Sequence, residues 1–137
     1  MNATQKVNTI KQYEDELVID ATINRFNILE QQMKLPAIKH KWVARLIQHK
    51  QNLNKLKRVK ELAKEQEEEK LQSNQQVLLT KASIDKHVER TKIIEDINKK
   101  IQEQELIILY LEKVEVIFKS LSYDITNMVD LIKLEEM

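Results

Sequence analysis

A chain of 137 residues with a formal net charge of +1 fills at most one domain, and it is neither a polycation nor a polyanion overall. It contains no glycine, no cysteine and a single proline, Pro36. Those absences exclude glycine-rich phosphate loops, dinucleotide fingerprints, disulfides, thiolate metal sites and a cysteine nucleophile, and they leave little material for tight turns.

The expected fold class is therefore all-α: a few long helices joined by few loops, forming a long-helix hairpin or coiled-coil protomer with a shorter N-terminal helix. Aromatic residues make up only 4% of the chain, too few to fill a globular core, so the helices must bury their stripes against one another or against other subunits. The first residues lack the apolar core of a signal peptide. The longest aliphatic run, Leu106 to Leu111, falls far below the roughly 18 residues of a membrane span. These features and the missing cysteines fit a soluble protein of a reducing, cytosolic-type compartment.

In chain order, the segment up to Leu17 is polar and mildly acidic. A first helix is expected over about 20–35, with Asp20 at its cap and running through Ile23, Phe26, Leu29 or Glu30, and Met33. Pro36 marks the boundary to a second, basic helix over 36–71. A linker is expected at 72–83, followed by an oligomerisation helix over 84–134 that Ser83 caps.

The second helix carries the sharpest signal. From Lys34 to Lys60 there are nine Lys and Arg residues and no Asp or Glu. An apolar stripe, Ile38, Trp42, Leu46, Leu53, Leu56 and Ala63, runs through them at three-and-four spacing. Lys39, Lys50 and Lys57 fall on one flank of that stripe, and Lys41 and Arg45 on the other. An uninterrupted run of one sign points to an anionic partner, most simply a nucleic-acid backbone, contacted at its phosphates without regard to base sequence. Trp42 lies in the stripe, which favours core packing over base stacking. Tyr110 and Tyr123 also read as packing residues.

The long C-terminal helix repeats three adjacent apolar heptad positions. Its seam is Ile101, Ile108, Leu111, Val114, Phe118, Leu121, Ile125, Met128 and Ile132. A seam of this width over about 50 residues, about 75 Å of helix, exceeds what one hairpin covers, so a homo-oligomer of more than two subunits is expected. The same segment is acidic, which favours its antiparallel pairing with the basic helix. No catalytic residue, metal ligand or cofactor site is expected: His40, His49 and His87 have no metal-ligand spacing, and the carboxylates sit on solvated-looking faces.

Leu17-Val18-Ile19-Asp20-Ala21-Thr22, then Leu35-Pro36-Ala37-Ile38-Lys39-His40-Lys41-Trp42, the Lys55 to Lys60 cluster and Ile84-Asp85 opening a long helix together resemble the UvsY-type recombination mediators of large tailed phages. The similarity covers about 15–134. It departs from the family after Lys60, where Glu65 to Lys70 replaces aromatic residues and a glycine turn.

The resemblance implies a ring-like homo-oligomer that binds single-stranded DNA in the host-cell cytoplasm. It implies, too, that the assembly helps load a RecA-like recombinase in place of single-strand-binding protein, in recombination, repair and recombination-dependent replication. It places DNA contact at Lys55, Lys57, Arg58 and Lys60; Lys39, Lys41, Arg45 and Lys50 are added from charge pattern alone. The competing expectation is a scaffolding coiled-coil protein whose basic helix binds an acidic protein partner.

Overall fold

The computed structural model describes residues 3–74 and 80–137. Among these residues there are four helices and no strand: α1 Ala3–Ala21, α2 Ile28–Asn74, α3 Lys81–Glu89 and α4 Lys92–Glu136. The chain forms two compact units, Met1–His49 with Ile107–Met137, and Lys50–Leu106.

In the first unit α1 reverses into α2 without a glycine. The Thr22 hydroxyl donates to the Val18 carbonyl at the end of α1. Asn24 Oδ1 accepts the amides of Phe26 and Asn27 at 2.8 and 3.0 Å, and Asn27 Oδ1 accepts the Asn24 amide at 2.7 Å. Asn27 Nδ2 and Gln31 Nε2 then donate to the Thr22 carbonyl at 3.0 and 2.8 Å. Short amide side chains bond the local backbone in the way that makes Asn a turn residue.

The expected helix over 20–35 is thus corrected. A turn occupies its first half, Phe26 is 97% exposed, and a helix stands earlier, where the sequence shows only a polar stretch. Asp20 is not a cap but receives bonds from Lys41 and Trp42. Pro36 lies inside α2 rather than at a boundary. The amide it lacks costs one helical bond, and the turns on either side are held by buried Ile28, Trp42 and Leu46.

The core of this unit is Ile28, Trp42 and Leu46 of α2 against Ile107, Ile108, Leu111, Val114, Phe118, Leu121 and Ile125 of α4. Arg25 pairs with Glu135 at 2.6 Å, and the Trp42 and Phe118 rings stand 6.2 Å apart, so the two helices run antiparallel here. Burying each of the larger aliphatic or aromatic side chains is worth about 1.5–3 kcal/mol.

The heptad pattern picks out the inward face of α4, but the face has a different occupant. Ile108, Leu111, Val114, Phe118, Leu121 and Ile125 are buried within the single chain, and Ile101, Met128 and Ile132 are half-buried.

In the second unit Ala63 of α2 packs with Ile84 and Val88 of α3 and Ile94 and Ile97 of α4, with Leu71 and Ile101 against them. Thr80, not Ser83, caps α3, its hydroxyl accepting the Ser83 amide at 3.2 Å. The helix expected over 84–134 is broken at Arg90–Thr91. The Arg90 amide bonds the His87 carbonyl, Thr91 directs both its amide and its hydroxyl to the Val88 carbonyl, and the Glu95 amide bonds the Thr91 carbonyl to begin α4. Of the expected linker 72–83, α2 takes the start through Asn74, and 75–79 lie outside the described residues.

Candidate nucleic-acid interface

All nine cations of the basic run lie on α2, and their surroundings divide them. Lys34 pairs with Glu30 at 2.5 Å one turn back. Lys39 is half-buried at the wall of a cavity of about 400 Å³, with Trp42, Leu46, Leu111, Phe118 and Lys119.

Lys41 and Arg45 meet α1. Lys41 Nζ donates to Asp20 Oδ2 at 2.6 Å and reaches Glu16 Oε2 at 3.5 Å, while Arg45 Nη1 donates to Glu16 Oε2 at 2.6 Å. Trp42 Nε1 donates to Asp20 Oδ2 at 2.9 Å. The Arg45 guanidinium lies 4.7 Å from the Tyr13 ring centroid and 4.9 Å from that of Trp42. Tyr13 meets Trp42 edge-on at 5.7 Å, and its hydroxyl lies 3.1 Å from His49 Nε2.

Arg45's hydrogen bond, ahead of any other influence, holds the Glu16 carboxyl below the usual carboxylate range. Burial raises the Tyr13 phenol. These ion pairs are half-exposed, and each is worth at most about 1 kcal/mol. Trp42 itself is 3% exposed, so in this arrangement it packs and offers no face to a base. Tyr123, expected to pack, is exposed.

In the second unit the picture reverses. Lys50, Lys55, Lys57 and Arg58 are exposed. Among the described residues no ion pair engages Lys55, Lys57 or Arg58. Lys60 is half-buried, and its charge helps lower the Glu89 carboxyl, although the main cause there is the hydrogen bond from Lys64, a pair at 2.8 Å. Of the four cations singled out by resemblance, three stand clear on the surface and Lys60 is partly spent on Glu89.

The partners of the basic run that sequence reasoning missed are Glu16 and Asp20. Their signal is present: two carboxylates four apart match two cations, Lys41 and Arg45, four apart, which is the spacing that lets two antiparallel helices pair both at once. Among the described residues no group of three His, Cys, Asp or Glu side chains is placed to hold a metal ion. No described helix is long and apolar enough to cross a membrane.

The fold and this surface define a class, an all-α long-helix protein with cations exposed along one helix. Solved proteins with this backbone include crystal structures of the bacteriophage T4 recombination mediator protein UvsY. Its lattice type IV form superposes with a TM-score of 0.78 at 14% identity, covering 91% of this chain and 97% of that one. The type II form gives 0.74 at 13% identity over 93% and 97%, and the type I form 0.73 at 14% over 89% and 97%. The chain has a UvsY-type fold, as its short motifs implied. No protein-family model and no curated protein matches the sequence.

Proposed function

We propose that this chain is a recombination mediator that binds single-stranded DNA without sequence specificity and helps a RecA-like recombinase displace single-strand-binding protein. The observation that carries this reading is the exposed set Lys55, Lys57 and Arg58, in no ion pair among the described residues, on α2 of a UvsY-type fold. Point cations on a rigid helix bind phosphates and leave the bases unread, which suits a factor that must act on any sequence. The protein carries out no catalytic step and needs no cofactor; it works in the host-cell cytoplasm during recombination, repair and recombination-dependent replication.

Avidity requires several copies. The surface for self-association is not the seam expected from the heptads but the opposite face of α4. There Leu109, Val116 and Tyr123 repeat at seven-residue spacing and are 52%, 62% and 66% exposed. A multimer of more than two subunits joined through this face multiplies weak phosphate contacts into tight binding.

The scaffolding alternative keeps one observation in its favour: α2 already accepts an acidic helix, α1, on Lys41 and Arg45. Titration of fluorescent oligo-dT and mixed-sequence oligonucleotides separates the two. A mediator binds both alike, with affinity falling steeply in salt. A scaffold ignores both even at low salt.

A further inference from the structure

The carboxylates of α1 stand on α2 as an oxyanion pair. Glu16 and Asp20 lie one helical turn apart, and each meets a cation of α2 at 2.6 Å. The α2 surface beneath them combines Lys41, Arg45 and the Trp42 indole N–H, and a ring beside cations is the composition of a single-strand-binding platform.

This contact is not a sealed core. The Lys41 and Arg45 side chains remain 39% and 25% exposed, and those of Glu16 and Asp20 32% and 15%. A competing anion reaches both cations from solvent. The sequence of α1 adds Glu14 and Asp15, exposed carboxylates that would be repelled by an approaching phosphate chain.

We infer that α1 is a displaceable cover over a second DNA-binding surface: Glu16 and Asp20 occupy the places of two phosphates, and a bound single strand takes Lys41, Arg45 and the Trp42 edge from them. This rests on the proposed single-strand binding and adds regulation to it. With α1 seated, only the exposed cations of the second unit capture DNA. A strand that reaches Lys41 and Arg45 sets many phosphates against the two carboxylates of α1. The cover thereby sets a threshold, so that short or isolated anions leave it closed and a long strand opens it.

The test compares oligo-dT affinity of the wild type, the double variant Glu16→Gln/Asp20→Asn, and Glu14→Gln/Asp15→Asn, which removes the same charge from α1 without touching the contact. The first variant should bind roughly tenfold more tightly than wild type, the gain from releasing two half-exposed ion pairs. The second should gain far less. Adding Lys41→Ala/Arg45→Ala to the first should cancel its gain. Equal gains in both carboxamide variants, or none in the first, overturn the cover.

If neither wild type nor variant binds oligo-dT, the proposed function falls and the cover with it. Wild-type binding with no difference among the variants removes the cover alone. Hydrogen exchange of the wild type needs no variant to fold. The amides of α1 should lose protection when long oligo-dT binds, and unchanged protection in the saturated complex contradicts the displacement.

Discussion

The two units treat one run of positive charge in opposite ways. In the first, Lys41 and Arg45 are answered by Glu16 and Asp20, and they pin α1 to α2. In the second, Lys55, Lys57 and Arg58 stand on the same helix with no ion pair among the described residues, and the acidic groups nearby are directed elsewhere, Glu89 to Lys64 and Glu67 to Lys70. A one-signed stretch of sequence therefore gives the capacity for anion binding, and the tertiary neighbours decide which of its members can use it at once.

The largest effect expected from breaking this comparison is in the first unit's core. Phe118→Ala should cost about 3–5 kcal/mol, since Phe118 is 2% exposed and faces Trp42. Denaturant unfolding followed by the emission of Trp42, the single tryptophan, measures it. A loss below about 1 kcal/mol would mean that the ring is not packed as described.

Second in size is the DNA effect. Lys55→Ala/Lys57→Ala/Arg58→Ala should leave stability near wild type and flatten the salt dependence of oligo-dT binding by about 2 in log affinity per log salt, at about 0.7 for each phosphate no longer neutralised.

Assembly gives the third. Leu109→Lys/Val116→Lys should lower the mass seen by light scattering while helicity by circular dichroism is kept, because both side chains are exposed in the single chain. Ile108→Lys/Leu111→Lys should instead unfold the protein, because both are buried there. A folded monomer from the second pair would restore the seam expected from the heptads.

The smallest effect belongs to the ion pairs between α1 and α2. The Glu16 carboxyl is lowered in the folded chain, so below the unfolded value of 4.5 the unfolded state binds more protons than the folded one. The pair's contribution is present in full above that range and fades as pH falls through the lowered folded value. Arg45→Ala should reduce stability by about 1 kcal/mol at neutral pH and remove that part of the acid dependence, read from melts across roughly pH 3 to 7.

The sequence is most legible where apolar periodicity is strong. Ile108, Leu111, Val114, Phe118, Leu121 and Ile125 repeat cleanly, and all are buried on the expected face of α4. The repeat names a face but not what covers it, and within the single chain these residues are already buried.

The first helix is hard to see in the sequence because its stripe, Ile10, Tyr13, Leu17 and Ala21, is short and half-buried and is completed by Glu16 and Asp20, which read as solvated charge. Pro36 and the Arg90–Thr91 break mislead in opposite directions. Packing on both sides carries the helix through the proline. At Arg90–Thr91 the helix stops without a glycine, because Thr91 satisfies the Val88 carbonyl locally. The basic run is legible as charge, but its division into covered and open cations depends on α1, whose seat on α2 shows in the sequence only as the matched four-residue spacing of Glu16 and Asp20 with Lys41 and Arg45.

The account stands most directly on whether the open cations hold DNA. The measurement is oligo-dT affinity across a salt series, with light scattering on the same samples, for the wild type and for Lys55→Ala/Lys57→Ala/Arg58→Ala. The account predicts a multimer in both, with tight binding by the wild type whose steep salt dependence is flattened by about 2 in the variant. Equal affinity and equal salt dependence in the two proteins, with the same mass, would contradict it.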